Sequence, residues 1–429
     1  MAREMKDSGI EWIGEIPRNW KIKKLKYVSL FRQEKYDEVY GNLAYVGLEN
    51  VQGWSGTYIE TDSIYDKSQS LIFQENDILW GKLRPYLAKV YHCTKMGCCS
   101  SEFCVMSIDK INDSRFFWYL LISSTFVDTV NRSTYGTKMP RANVDFIKNM
   151  YVPIPSAIEQ SLISGFLDNK NKELDNILSK TRASIEEYKK LKQAVITQAV
   201  TKGIRGDREM KDSENKWVRE IPSDIKISRV GLHYEIILGK MLCTNQIDAT
   251  YTYEPYFCAA DVHFEGIAES ERKKMWFSPL DKQQYLVRKD DLLVVEGGAG
   301  AGGCTVASMQ KVPTYIQNSI MIVRPRKSAD VRYLKYLIEC LVKQGYIDVS
   351  CNKATIPHFT KDKLANVPFL VFSLQEQKEI AQYLDKKCND IDAIISYKEN
   401  YIMEIENYKK SLIYEYVTGK KEVPQKYQV

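Results

Sequence analysis

Ser156–Leu178, SAIEQSLISGFLDNKNKELDNIL, and Ser373–Ile395, SLQEQKEIAQYLDKKCNDIDAII, are two versions of one stretch, 217 positions apart. The register holds without a gap in both directions. Upstream it joins Pro140 to Pro357 and Asn149 to Asn366. Within the stretch it joins Glu159-Gln160 to Glu376-Gln377, Leu167-Asp168 to Leu384-Asp385, and Asp175 to Asp392. Downstream it reaches Val200-Thr201 and Val417-Thr418. Apolar residues recur in steps of three and four, at Leu167, Leu174, Ile177, Leu178, Ile185, Leu191 and Ile196 in the first copy. In the second they fall at Leu384, Ile391, Ile394, Ile395, Ile402, Ile405 and Leu412. That spacing makes one apolar stripe on a long helix. At 1.5 Å per residue, about 42 residues give a rod of roughly 60 Å, longer than one compact domain needs. A rod with one apolar seam must bury it, and the other rod is the expected partner. Leu167, Leu174, Ile177 and Leu191 are expected to face Leu384, Ile391, Ile394 and Ile405 across that seam.

Working outward, each helix closes a longer repeated unit. MKDSGIEWIGEIPRNWKI, Met5–Ile22, returns as MKDSENKWVREIPSDIKI, Met210–Ile227, at a spacing of 205. Between these openings and the helices the copies diverge. Segments such as LAYVGLENV, DILWGKLRPYLAKVYHC, EFCVMSI, YEPYFCAADVHF, DLLVVE and YIQNSIMIVRP are short, β-branched or aromatic, and broken by Gly, Asn and Pro. Helical stretches, RFFWYLLISSTFVDTVN and VRYLKYLIECLVKQGYI, lie among them. The expected fold is α+β: two mixed α/β globules, 1–156 and 206–373, joined by two long helices, 157–205 and, with a C-terminal tail, 374–429. The helices are expected to pair as an antiparallel coiled coil in a pseudo-twofold tandem duplication. Such a chain would hold two globules at a fixed separation, as a two-headed DNA reader does.

Composition narrows the classes without choosing among them. The 429 residues are 44% hydrophobic and 27% charged, ordinary for a globular protein, and the net charge of +6 permits a polyanionic partner without demanding one. No apolar run approaches the ~18 residues that span a bilayer. The opening MAREMKDSGIEW lacks the apolar core of a secretory signal, so a cytoplasmic location is expected. Ten cysteines then read as reduced thiols. The densest group, Cys93, Cys98, Cys99 and Cys104, holds no C-x-x-C pair and reads as packing, not as a zinc site.

The motifs of methyl transfer and of nucleoside-triphosphate binding are missing. There is no N-P-P-[FY], D-P-P-[FY] or G-x-x-x-x-G-K-[ST]. Gly298-Ala-Gly-Ala-Gly-Gly303 fits G-x-G-x-x-G, yet Pro313 cuts short any following helix and no acid stands about 20 residues on. Asp77–Arg84 occupies the comparable place in the first globule without glycines, so the run is expected to be a turn or a backbone pressed near DNA. Glu187-Tyr188-Lys189 with Asp175 imitates a nuclease motif but lies on the rod, where charges form a solvated face. His92, His233, His263 and His358 have no ligand-like spacing.

The repeated helices, with P-x-x-E-Q, F-L-D, I-D and A-V-T-G-K patterns, resemble those of specificity subunits of type I restriction–modification enzymes. The openings resemble the start of each target-recognition domain in that family. Phe372 stands where the first copy has Pro155, and Val-Thr-Lys-Gly answers Val-Thr-Gly-Lys, without altering the layout. The resemblance covers nearly the whole chain. It implies a non-catalytic subunit that reads one half of a split double-stranded DNA target with each globule. It also implies helices that set the gap and dock two methyltransferase subunits, through which restriction/translocase subunits join. S-adenosylmethionine, ATP and Mg2+ would then sit on those partners, and no membrane is involved. The competing readings are a coiled-coil scaffold that joins proteins without reading sequence, and a self-contained methyltransferase or nuclease.

DNA contacts require cations for phosphates and forked or amide donors for base edges. In the first globule Lys82, Arg84 and Tyr86 cluster in one turn, and Arg132, Tyr135, Lys138 and Arg141 in another stretch. The latter aligns with Lys353, Thr355 and His358 in the second globule, where Arg272, Lys273 and Lys274 form a further basic patch beside Trp276.

Overall fold

The computed structural model describes residues 3–41, 43–61, 69–136, 138–326, 329–351 and 357–427. The chain forms two compact units, Met1–Arg182 with Glu399–Val429, and Ala183–Lys398.

In the first unit four antiparallel strands, β1 (Ser29–Arg32), β2 (Ile78–Gly81), β3 (Val90–His92) and β4 (Phe103–Ile108), form a sheet in the order β1-β4-β2-β3. Side chains alternate along a strand, so a sheet buried on both faces sends neighbours into different cores. Ile78, Trp80, Cys104 and Met106 enter the larger core. Leu79, Phe103 and Val105 enter a smaller one with Cys93 and Cys99. All four clustered cysteines are buried, and burial pushes the Cys104 thiol up to about 12, so they act here as small packing groups. Helix α1 (Ser114–Ile122) covers the larger core, its first amides capped by the Asp113 carboxylate at 2.8 and 3.0 Å.

The second unit repeats this plan. Strands β5 (Tyr234–Leu238), β6 (Leu292–Val295), β7 (Cys304–Val306) and β8 (Ile320–Pro325) take the order β5-β8-β6-β7. Leu292 and Val294 face one core while Leu293 and Val295 face another. Helix α3 (Val331–Lys343) is capped by Asp330 as α1 is by Asp113.

The two repeated stretches are the long helices α2 (Ala157–Lys202) and α4 (Leu374–Val417). Within each unit they pack antiparallel. In the first, Asp175 meets Lys409 at 2.7 Å and Arg182 meets Glu406 at 2.7 Å. In the second, Lys192 meets Asp392 at 2.7 Å and Arg205 meets Glu379 at 3.0 Å. Leu167, Leu178, Ile185, Leu384, Ile391 and Ile405 are buried, and Leu174 is half-buried. Ile177, Leu191 and Ile394 lie outside the seam, 38, 48 and 38% exposed. Neighbouring residues on a helix point about 100° apart, so Leu178 turns Ile177 away. At the next position Lys192 takes the inward place and Leu191 does not. Among the described residues no helix is long and apolar enough to cross a membrane.

Each unit draws on both helices. The first core contains Ile163, Phe166 and Leu167 from the start of α2, and Leu412, Ile413, Tyr416 and Val417 from the end of α4, around Ile16 and Trp20. The second contains Ile380, Leu384 and Cys388 from the start of α4, and Ile196, Ala199 and Val200 from the end of α2, around Val218 and Ile221.

Polar contacts also recur at the 217-residue spacing. Buried Gln160 accepts from the Asp113 amide at 2.9 Å and donates to the Pro155 carbonyl at 3.1 Å. Gln377 does the same with Asp330 and Phe372, at 3.0 and 2.8 Å. Arg115 and Tyr119 hold Asp168, as Arg332 and Tyr336 hold Asp385. Glu159 binds Arg3 and the Trp20 indole, and Glu376 binds Arg208.

Gln160→Met and Gln377→Met should each lower the unfolding free energy by roughly 1–3 kcal/mol per buried backbone group left unpaired. Urea titration of the single and double variants checks this, with near-additive losses because the sites share no partner. His92, bonded to Ser114 at 2.9 Å, is held down at about 4 by burial and by the Arg115 cation. The unfolded chain therefore binds the extra proton first, and stability should fall as pH drops from about 6.5 towards 4. His92→Gln should flatten that part of the pH–stability curve.

Candidate nucleic-acid interface

Two of the sequence clusters meet at the end of β2. Backbone pairing joins Leu83 to Arg141, and the Arg84 amide donates to the Pro140 carbonyl at 2.8 Å. The Ala142 amide donates to the Lys82 carbonyl at 2.9 Å, and the Lys82 amide to the Glu102 carbonyl at 2.8 Å. This rim carries exposed Arg84, Tyr86, Tyr135 and Arg141, with Lys82 half-buried beside them. Lys82, Glu102, Tyr135 and Arg141 line an open cavity of about 460 Å3. Glu102 binds the Arg141 guanidinium at 2.5 Å. The two are 39 residues apart, with no local pattern linking them, so sequence reasoning alone misses Glu102.

Not every member of the clusters joins the rim. Arg132 lines a separate cavity of about 650 Å3 with Trp12, Phe146 and Tyr414. Lys138 is exposed in the turn that follows Tyr135.

The second unit builds the same frame. Gly297 pairs with His358, the Gly298 amide donates to Pro357 at 3.2 Å, and the Phe359 amide donates to Glu296 at 2.6 Å. His358 is exposed there. Lys353 and Thr355 lie outside the described residues. The glycine run that follows β6 turns the chain back into β7, with the Gly302 amide on the Val295 carbonyl at 2.9 Å. Gly302 has φ +83° and a Cβ there would sit 2.8 Å from Val342, so packing against α3 demands glycine. That is a tight turn, one of the two expected roles.

The basic patch of the second unit divides in two. Arg272 is consumed internally: it binds Asp261 at 2.9 Å, donates to the Ala268 carbonyl at 2.6 Å and stacks on Phe257. Lys273 and Lys274 are exposed on the strand Lys273–Phe277, and Trp276, on the same side as Lys274, packs against Tyr253 with tilted rings 5.3 Å apart. The Asp261 turn has a counterpart at Asn50, since each side chain accepts from the amide three residues earlier. A third repeat, YVGLEN and YFCAAD at a spacing of 211, marks that turn and is too short to stand out in the sequence.

At the other end of the same strands, just before β2 and β6, lies a buried aspartate with an arginine. Asp77 takes Arg32 from β1, and Asp291 takes Arg324 from β8, each at 2.8 Å. The arginine has changed strand while the charge it neutralises has stayed. Among the described residues no group of three His, Cys, Asp or Glu side chains is placed to hold a metal.

Residues 17–187 and 222–406 each match the family described as the type I restriction modification DNA specificity domain. A type I restriction enzyme specificity subunit of Methanocaldococcus jannaschii, MjaVIII, is 23% identical over 94% of this chain and 93% of its own length. The EcoDI specificity subunit of Escherichia coli is 24% identical over 43% of this chain, a match spanning 42% of that subunit. A chain from a structure of the type I R-M system, solved for its complex assembly and conformational transition, superposes with a TM-score of 0.76. It is 19% identical, and the superposition covers 95% of this chain and 99% of that one.

Arg272→Ala should strand the Asp261 carboxylate and cost roughly 3 kcal/mol. Lys273→Ala and Lys274→Ala should stay within about 0.5 kcal/mol of the wild type in the same urea titration.

Proposed function

This chain belongs to the type I restriction modification DNA specificity family, and we propose that it reads a bipartite double-stranded DNA target for a multisubunit complex. The duplication carries this reading: two family matches fall on two units with one strand order and different rim side chains. In the proposed mechanism each unit lays its rim along the DNA. Lysines and arginines set register on the phosphates, and a few side chains select bases.

On this reading the chain performs no chemistry itself. It docks two methyltransferase subunits, which bring S-adenosylmethionine, and through them the restriction/translocase subunits, which bring ATP and Mg2+. The exposed Ile177, Leu191, Ile394, Tyr397 and Tyr401 on the long helices are suited to a protein partner. A scaffold that joins proteins without reading sequence would use the same helices but would leave the two rims without a task.

The test is to map methylated adenines in host DNA with and without the gene for this chain. The expected result is one split motif, with a constant number of unread bases between its halves, that vanishes when the chain is removed. A map that does not depend on the chain, or an assembled complex without sequence preference, would sink the proposal.

A further inference from the structure

We propose that Arg84 and Arg141 read guanine in the half-site taken by the first unit, while Gly298 and His358 give the second unit a different preference from the same frame. The assignment rests on the DNA-reading function above.

Three observations converge on it. The backbone bonds that join the strand end to the Pro140 and Pro357 segments are duplicated. The Arg84 amide meets Pro140 as the Gly298 amide meets Pro357, and Arg141 pairs with Leu83 as His358 pairs with Gly297. Equivalent backbone positions therefore carry Lys82 and Glu296, Arg84 and Gly298, and Arg141 and His358. At the helix-facing side, by contrast, Asp113, Arg115, Tyr119, Gln160 and Asp168 return unchanged as Asp330, Arg332, Tyr336, Gln377 and Asp385. The chain has kept the support and altered the rim, reversing a charge at Lys82 and Glu296.

Arg84 is the sharpest case. Its φ is +51°, in the left-handed region that penalises any residue with a Cβ, and Gly298 at the matching place has φ +89°. The backbone there asks for glycine, and the second unit supplies it. An arginine held against that preference is the kind of strain found where a side chain has a function. Among the described residues, the Arg84 side chain has no ion pair and no hydrogen bond, and it is exposed. Among those residues nothing accounts for its guanidinium.

Arg141 is prepared differently. One terminal nitrogen is held by Glu102 at 2.5 Å, which orients the planar fork while half of the side chain stays exposed. A fork of this geometry matches the O6 and N7 acceptors of guanine in the major groove, the commonest specific arginine contact. Glu102 also disfavours Arg141 as a phosphate contact, because its carboxylate would repel the same anion. His358 has a single-plane ring with one donor and one acceptor when neutral, and cannot make that bidentate pair.

The experiment uses the chain assembled with its methyltransferase subunits and DNA libraries randomised in each half-site. Arg84→Gly and Arg141→His place in the first unit what the second already carries, so the frame tolerates them. Arg84→Gly should also hold or raise the melting midpoint. The expected result for each is a five- to hundred-fold loss of discrimination at one or two guanine positions of one half-site. The other half-site and the gap should be unchanged. A uniform loss of affinity on all sequences, with a shallower salt dependence, would make these arginines phosphate contacts and overturn the assignment. An unaltered profile would overturn it too. A wild-type complex without preference in either half defeats the DNA-reading function and this assignment together.

Discussion

Neither core is closed by its own stretch of chain. The first globule leaves an opening beside Trp20 and Ile16, and the far end of α4 fills it with Leu412, Ile413, Tyr416 and Val417. The second leaves the matching opening beside Val218 and Ile221, and the far end of α2 fills it with Ile196, Ala199 and Val200. Hydrophobic burial of this kind is worth about 1.5–3 kcal/mol per large side chain, so either unit without its borrowed helix end loses a substantial share of its stability. The antiparallel course of the helices follows from this requirement, because each must begin in one core and end in the other.

The polar contacts give that exchange a fixed register. An apolar seam tolerates sliding; a buried amide with two backbone partners does not. Gln160 and Gln377 tie the first turn of each long helix to the cap of α1 or α3, and Asp168 and Asp385 hold the same helix about two turns further on. Lys192 with Asp392 and Lys409 with Asp175 are the same ion pair in two places. Exposed pairs of this sort contribute little stability, but two pairs matched at the 217-residue spacing favour one alignment over its neighbours.

Much of this is legible in the order of residues alone, and the exceptions are instructive. The long helices, the divergent globules and the buried thiols all follow from periodicity and composition. Ile177 and Leu178 cannot be separated by pattern, because both are apolar and only packing chooses which one turns inward. Arg272 looks as available as Lys273 and Lys274 in the linear chain. In the fold it is bound by Asp261, a partner 11 residues away on a different turn. Arg132 and Arg141 are close in sequence yet face different cavities, since the chain turns between them. Conversely, Leu83 and Arg141 are 58 positions apart and form one rim.

The duplication, the helical nature of both repeated stretches and their apolar stripes are written in residue order alone. These depend on residue order and on the 3.6-residue turn, which act locally. Which helix end closes which core, and which cations are tied down by acids, emerges only in the folded chain. The folded chain also reveals that Arg84 and Gly298 occupy one backbone position. Those outcomes depend on contacts between residues far apart in the chain, where close packing and the cost of an unpaired buried charge choose among partners that the linear pattern leaves equivalent.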